Sequence, residues 1–98
     1  MKRVKPKPFP AHPLIQSAAD LGTAIRAART HAGLKLEDAA ETLGITPKTL
    51  AAIETGKPGV RVANLLHAAR GLGVDLYFAP RGRRDAVMRR LAPLTPSE

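Results

Sequence analysis

Few residues of this 98-residue chain have types and spacings suited to covalent or metal chemistry. His12, His31 and His67 have neither the spacing nor the companions of a metal site, and read as solvated or half-buried side chains. Asp38 and Glu41 read as a solvated helix face, and no nucleophile–base set is visible. Thr55-Gly56-Lys57-Pro58 is no phosphate loop, because the first glycine is missing and Pro58 stands where Ser or Thr is needed. The chain has no cysteine, which excludes disulfides and thiolate metal sites and permits a reducing cytosol. No catalytic residue, cofactor or metal is expected.

What remains is charge. The net charge is +8, and its placement matters more than its size. Residues 1–19 hold Lys2, Arg3, Lys5 and Lys7 and no acid. Residues 20–79 balance Arg26, Arg29, Lys35, Lys48, Lys57, Arg61 and Arg70 against Asp20, Glu37, Asp38, Glu41, Glu54 and Asp75. Residues 80–98 set five arginines against Asp85 and Glu98. A nearly neutral middle thus lies between two basic ends. Basic ends suit a polyanion, since each lysine or arginine at a phosphate releases condensed counterions; they also serve solubility, and charge alone does not separate the two readings.

The elements that must position these groups are mostly helical. Ala, Leu and Arg are abundant and aromatics are few, which favours helices over a β-sandwich. Residues 1–16 alternate basic residues with Pro6, Pro8, Pro10 and Pro13, the pattern of an extended arm. Residues 17–73 form the folded domain. Ser17 to Asp20 is close to a capping box and opens a first helix carrying Leu21, Ile25 and Ala28, which Gly33 ends. A second helix runs from Leu36 to Leu43 and closes at Gly44. A third is capped by Thr46, has Pro47 at its first position and stops at Gly56. A fourth follows Gly59, with Val62, Leu65, Leu66, Ala69 and Leu72 as its apolar stripe. At residues 74–79 the period changes to alternation, with Val74, Leu76 and Phe78 on one side of a single strand. Such a strand needs a partner for its backbone groups, and the same strand of a second copy is the simple one. Residues 80–98 read as a basic flexible tail, in which Asp85 to Leu91 has the pattern of two helical turns. No apolar run reaches the length of a membrane span, and Met1 to Pro10 lacks the apolar core of a signal peptide.

Two short helices joined at Gly44 have the spacing of a helix-turn-helix. Ala40 precedes the turn by four residues and permits close crossing, and Leu50 and Ile53 anchor the second helix on the first. A helical hairpin with no DNA role has the same spacing; Glu54-Thr55-Gly56-Lys57 and Arg29 sharpen the case for the motif.

Residues 21–78 resemble the Xre/Cro-type helix-turn-helix family of bacterial regulators, through LGTAIRAARTHAGL, EDAAETLGITPKTLAAIETGKP and LLHAARGLGV. Within that family the chain looks most like antitoxins of the HipB kind, where a short strand follows the motif as LGVDLYF suggests. The resemblance implies a mainly α fold: a four-helix domain followed by one short strand that pairs with its mate in a homodimer through Val74, Leu76, Tyr77 and Phe78. It makes 46–54 the recognition helix, with Thr46, Pro47, Lys48 and Thr49 nearest bases and phosphates, and Ala51 and Ala52 one turn on. It also pairs Arg29 with Glu54 as a structural ion pair. Lys35 and Leu36 depart from the family's usual Thr/Ser-Gln, so Lys35 or the backbone at that helix end takes the phosphate contact. The reading face lacks Asn and Gln, leaving Lys48 for guanine or phosphate, Thr49 for a hydrogen bond and the alanines for a thymine methyl. Lys57 and Arg61 flank the helix and are assigned to backbone phosphate.

The function implied is a dimeric DNA-binding repressor on an inverted-repeat operator, acting as a type II antitoxin against a HipA-like kinase in the bacterial cytoplasm, at the nucleoid. A stand-alone regulator without a toxin, and a helix-turn-helix module that docks a protein, are the alternatives. The basic arm has the reach for an adjacent minor groove.

Overall fold

The computed structural model of the chain describes residues 3–11 and 13–91. His12, the first two residues of the arm and residues 92–98 of the tail lie outside the described residues. The described elements are α1 (Ala18–His31), α2 (Leu36–Leu43), α3 (Pro47–Thr55), α4 (Val62–Gly71), a single 3-10 turn (Arg81–Arg83) and α5 (Arg84–Arg90).

Local signals start and stop the first three helices. The Ser17 hydroxyl accepts from the Asp20 amide at 3.1 Å. The Asp20 carboxylate accepts from the Gln16 amide at 3.0 Å, one residue before the cap, so the reciprocal half of the capping box is shifted outward. Thr46 caps α3 through the Thr49 amide at 3.1 Å, with Pro47 in the first turn where no amide is needed. Such a cap contributes about 1 kcal/mol. Gly44 closes α2 at φ 72°, a left-handed conformation that brings the Ile45 amide back to the Ala40 carbonyl at 3.0 Å. This turn, six residues before Leu50, aims α3 across α2.

Ile25 of α1, Ala39, Ala40 and Leu43 of α2, Leu50 and Ile53 of α3, and Ala68 and Ala69 of α4 form the buried core. Its large fully buried side chains are Ile25, Leu50 and Ile53. Ala40 is completely buried where α2 meets α3, as its small size requires.

The structure corrects the apolar stripe expected on α4. Val62 is 66% and Leu66 48% exposed, while Ala68 and Ala69 are buried and Leu65 and Leu72 pack against the core. Leu65, Ala68, Ala69 and Leu72 span an arc of about 100° around the helix, and Leu66 falls about 60° beyond its edge. His67 of α4 reaches the Leu43 carbonyl at the C-terminal end of α2, which accepts from its Nε2–H.

A second difference lies beyond α4. Residues 74–79, expected to form a strand, carry no regular structure and no strand pairing among the described residues. A lone strand has no ladder within one copy of the chain. Val74 packs against the core, but Tyr77 and Phe78 are 77% and 94% exposed. Past them, α5 is a fifth helix that the four-helix expectation left out; it covers Arg84–Arg90, close to the two turns read at Asp85–Leu91, and buries no residue.

Candidate nucleic-acid interface

The site rests on α3 and on what holds α3 in place. Arg29 of α1 and Glu54 in the last turn of α3 form a bidentate bridge, Nε to Oε2 at 2.6 Å and Nη2 to Oε1 at 2.9 Å. Their side chains are 10% and 5% exposed, and Arg29 Nη1 donates to the Leu34 carbonyl at 2.8 Å. One guanidinium therefore fixes α1, the turn before α2, and the end of α3 together. The helices also touch backbone to backbone. A methyl group at Gly22 would lie 2.5 Å from the Ile53 and Glu54 carbonyl oxygens, and one at left-handed Gly56 would lie 2.7 Å from Ala19. Gly22 was not identified from sequence; its one signal is a glycine inside an otherwise good helix.

Outward from this mount, the two threonines at the start of α3 are linked. The Thr46 hydroxyl accepts from the Thr49 amide and donates to the Thr49 hydroxyl oxygen at 2.9 Å. The Thr46 proton is thereby committed, whereas the Thr49 O–H keeps its own proton to donate. Thr55, exposed on the same helix, back-bonds to the Ala51 carbonyl at 2.9 Å.

A shallow groove runs beside α3. Lys48, Thr49 and Ala52 form one wall; Arg61, Asn64 and Val60 form the other; Lys57, Pro58 and Gly59 close it. Three cations face this groove and none of its lining residues is acidic. The N-terminal end of α3 adds its partial positive charge on the same side as Lys48. The arrangement can seat an anion and offer the Thr49 hydroxyl and the Asn64 amide as hydrogen-bonding groups.

Of the residues singled out from sequence, the groove gathers Lys48, Thr49, Ala52, Lys57 and Arg61. Thr46 and Pro47 are exposed at the start of α3, and Ala51 is half-buried on that helix, outside the groove lining. Lys35 is exposed at the start of α2, also outside it, and makes no side-chain cap. Leu76, Tyr77 and Phe78 are exposed beyond α4, outside the groove. Asn64 was missed. It sits in the first turn of α4, and the path of residues 56–61 brings it to the groove beside α3.

Among the described residues, no group of His, Asp and Glu side chains is placed to hold a metal ion, and no helix is long and apolar enough to cross a membrane.

Solved structures share this fold. The HipB chain in a HipA–HipB–O2–O3 complex superposes with a TM-score of 0.62 at 18% identity, covering 69% of this chain and 96% of that one. HipB in complex with an O4 20mer gives the same score, identity and coverage. A HipB variant with an O2 20mer also matches at 0.62 and 18%, with 94% of that chain covered. No curated protein matches the chain in sequence. Residues 20–76 match the helix-turn-helix domain family, a stretch that takes in all but the first two residues of α1, the whole of α2 to α4 and the groove, and the chain belongs to that family.

Proposed function

We propose that the protein is a sequence-specific DNA-binding repressor that enters the major groove with α3. The observation that carries this reading is the acid-free groove along α3, where Lys48, Lys57 and Arg61 surround Thr49 and Asn64. Lysine and arginine suit phosphates, and Lys48 at the leading end of α3 is long enough for a guanine edge. Ala51 and Ala52 keep the helix slim, so the backbone approaches the bases closely. With so few reading side chains, sequence preference rests largely on DNA shape and on phosphate positioning.

Two copies set α3 into successive major grooves of an inverted repeat, with roughly 34 Å between them. The exposed Leu76, Tyr77 and Phe78, with the backbone of residues 75–79 outside any regular structure, support pairing of this segment between copies. Leu76→Pro removes an amide donor from that ladder and is expected to yield a monomer in sedimentation velocity; a surviving dimer removes strand pairing from the proposal. By likeness to HipB, which is solved in complex with HipA, the repressor acts as an antitoxin whose partner is a HipA-like kinase. Co-purification with the product of an adjacent kinase-like gene tests that part, and a neighbourhood without such a gene favours a stand-alone regulator.

DNA binding itself is tested by fluorescence anisotropy on a duplex from immediately upstream of the protein's own gene. Lys48→Gln and Arg61→Gln together are expected to weaken binding about ten-fold or more and to flatten the log–log salt dependence by about two. Unchanged affinity would leave the motif as a protein-docking module. Equal affinity for a scrambled duplex would remove the operator.

A further inference from the structure

The N-terminal arm is clipped to the domain. The Lys7 amide donates to the Thr30 hydroxyl at 2.8 Å, in the last turn of α1. The Lys7 carbonyl accepts from His31 Nε2–H at 2.9 Å. Phe9 stacks on the His31 ring, centroids 4.9 Å apart and planes 26° from parallel. Thr30 is itself fixed, since its hydroxyl donates to the Ala27 carbonyl at 3.1 Å and the residue is buried. The arm also has two sides. Val4, Phe9 and Pro10 are half-buried, whereas Arg3, Lys5 and Lys7 are exposed, and no acid lies within residues 3–11.

The place of the clip gives it a use. Residues 32–35 lead directly from the end of α1 to the start of α2, so in the chain the clip at Thr30 and His31 comes just before Lys35. In a helix-turn-helix the first helix of the motif, here α2, crosses the DNA backbone while the second enters the groove. An arm pinned at the entry to α2 therefore carries its cations beside the sugar–phosphate backbone. It does not hang free to search for a minor groove.

We propose that the clipped arm is a second phosphate-contacting surface, in which Arg3, Lys5 and Lys7 join Lys35 against the DNA backbone at the α1–α2 end of the domain. The inference rests on the DNA-binding reading above. Its partner is the duplex occupied by α3, and the ligand chemistry is backbone phosphate without base contacts. Clipping matters because a cation held in place loses less conformational freedom on binding than one on a free arm.

The test uses the full chain and the fluorescent upstream duplex over a series of potassium chloride concentrations. Lys5→Gln with Lys7→Gln should weaken binding roughly ten-fold at moderate salt, flatten the salt dependence by about two, and do so equally on a scrambled duplex. His31→Ala keeps every lysine and arginine but removes the stack and one anchor; Thr30→Val removes the other. Each should weaken binding several-fold, with thermal melts showing the domain still folded, and the exposed His31 position keeps the test open if Thr30→Val unfolds. Lysine variants that bind like the parent overturn the proposal. Lysine variants that weaken binding beside clip variants that do not overturn the clipping and leave a free arm. If Lys48→Gln with Arg61→Gln weakens binding and the arm variants do not, the arm proposal fails alone. If no variant differs from the parent, both readings fail.

Discussion

Glu54→Ala is expected to lower the free energy of unfolding by about 3–5 kcal/mol, read from urea melts followed by circular dichroism. The carboxylate accepts two hydrogen bonds from Arg29 in a site where both side chains are nearly out of water. Removing it leaves a guanidinium buried with only the Leu34 carbonyl as partner. Most of the loss comes from that stranded charge and not from the net worth of the bridge, because two charges taken out of water have already given up their hydration. A double variant checks the point. Arg29→Met with Glu54→Leu puts apolar volume where the pair stood and is expected to regain most of the stability lost by Glu54→Ala alone. A double variant as unstable as the single one would mean that the bridge itself stabilises the domain. A domain of this size has roughly 5–15 kcal/mol in total, so the single variant should be close to unfolding at physiological temperature. DNA affinity should fall with it, since Glu54 fixes the far end of α3.

The parts of this site that sequence showed are those governed by neighbours in the chain. Thr46, Pro47 and Gly44 act within a few residues, through a cap, a fixed φ and a left-handed turn, so α3 and its start were legible. The placing of α4 was less so. Its apolar residues outnumber the positions one face can bury, and the contest between Leu65 and Leu66 is settled by α2 and the core, which periodicity does not see. Asn64 and the arm belong to the same class. Asn64 reaches the groove through the path of a loop, and Lys7 meets Thr30 across 23 residues of chain. Phe9 and His31 carry no pattern that announces a stack. The segment 74–79 differs in kind: its alternation is plain in the sequence, but the pairing it calls for needs a second copy.

Gly22→Ala tests whether the approach of α1 to α3 is as tight as the bridge implies. Intrinsic preference favours the substitution, because alanine in a helix interior is better than glycine by about 1 kcal/mol. Sterics oppose it. The added methyl would sit 2.5 Å from the Ile53 and Glu54 carbonyl oxygens, and these are backbone atoms that no rotamer change can move. To admit it, α1 and the end of α3 must part, which loosens Ile25 against Ile53 in the core and stretches the Arg29–Glu54 bridge. Overpacking of this kind costs about 1–3 kcal/mol, and here the stretched bridge adds to it, so the clash is expected to exceed the gain in propensity. The prediction is a net loss of about 2 kcal/mol or more in urea melts, with a larger loss for Gly22→Val. The same geometry predicts coupling. In a background already lacking the bridge, the helices are freer to part, so Gly22→Ala should cost less there than in the parent. Additive losses would show that glycine and the ion pair act independently. A stabilised Gly22→Ala would show that α1 and the end of α3 can part without loss, and that their close approach does not hold α3 in place.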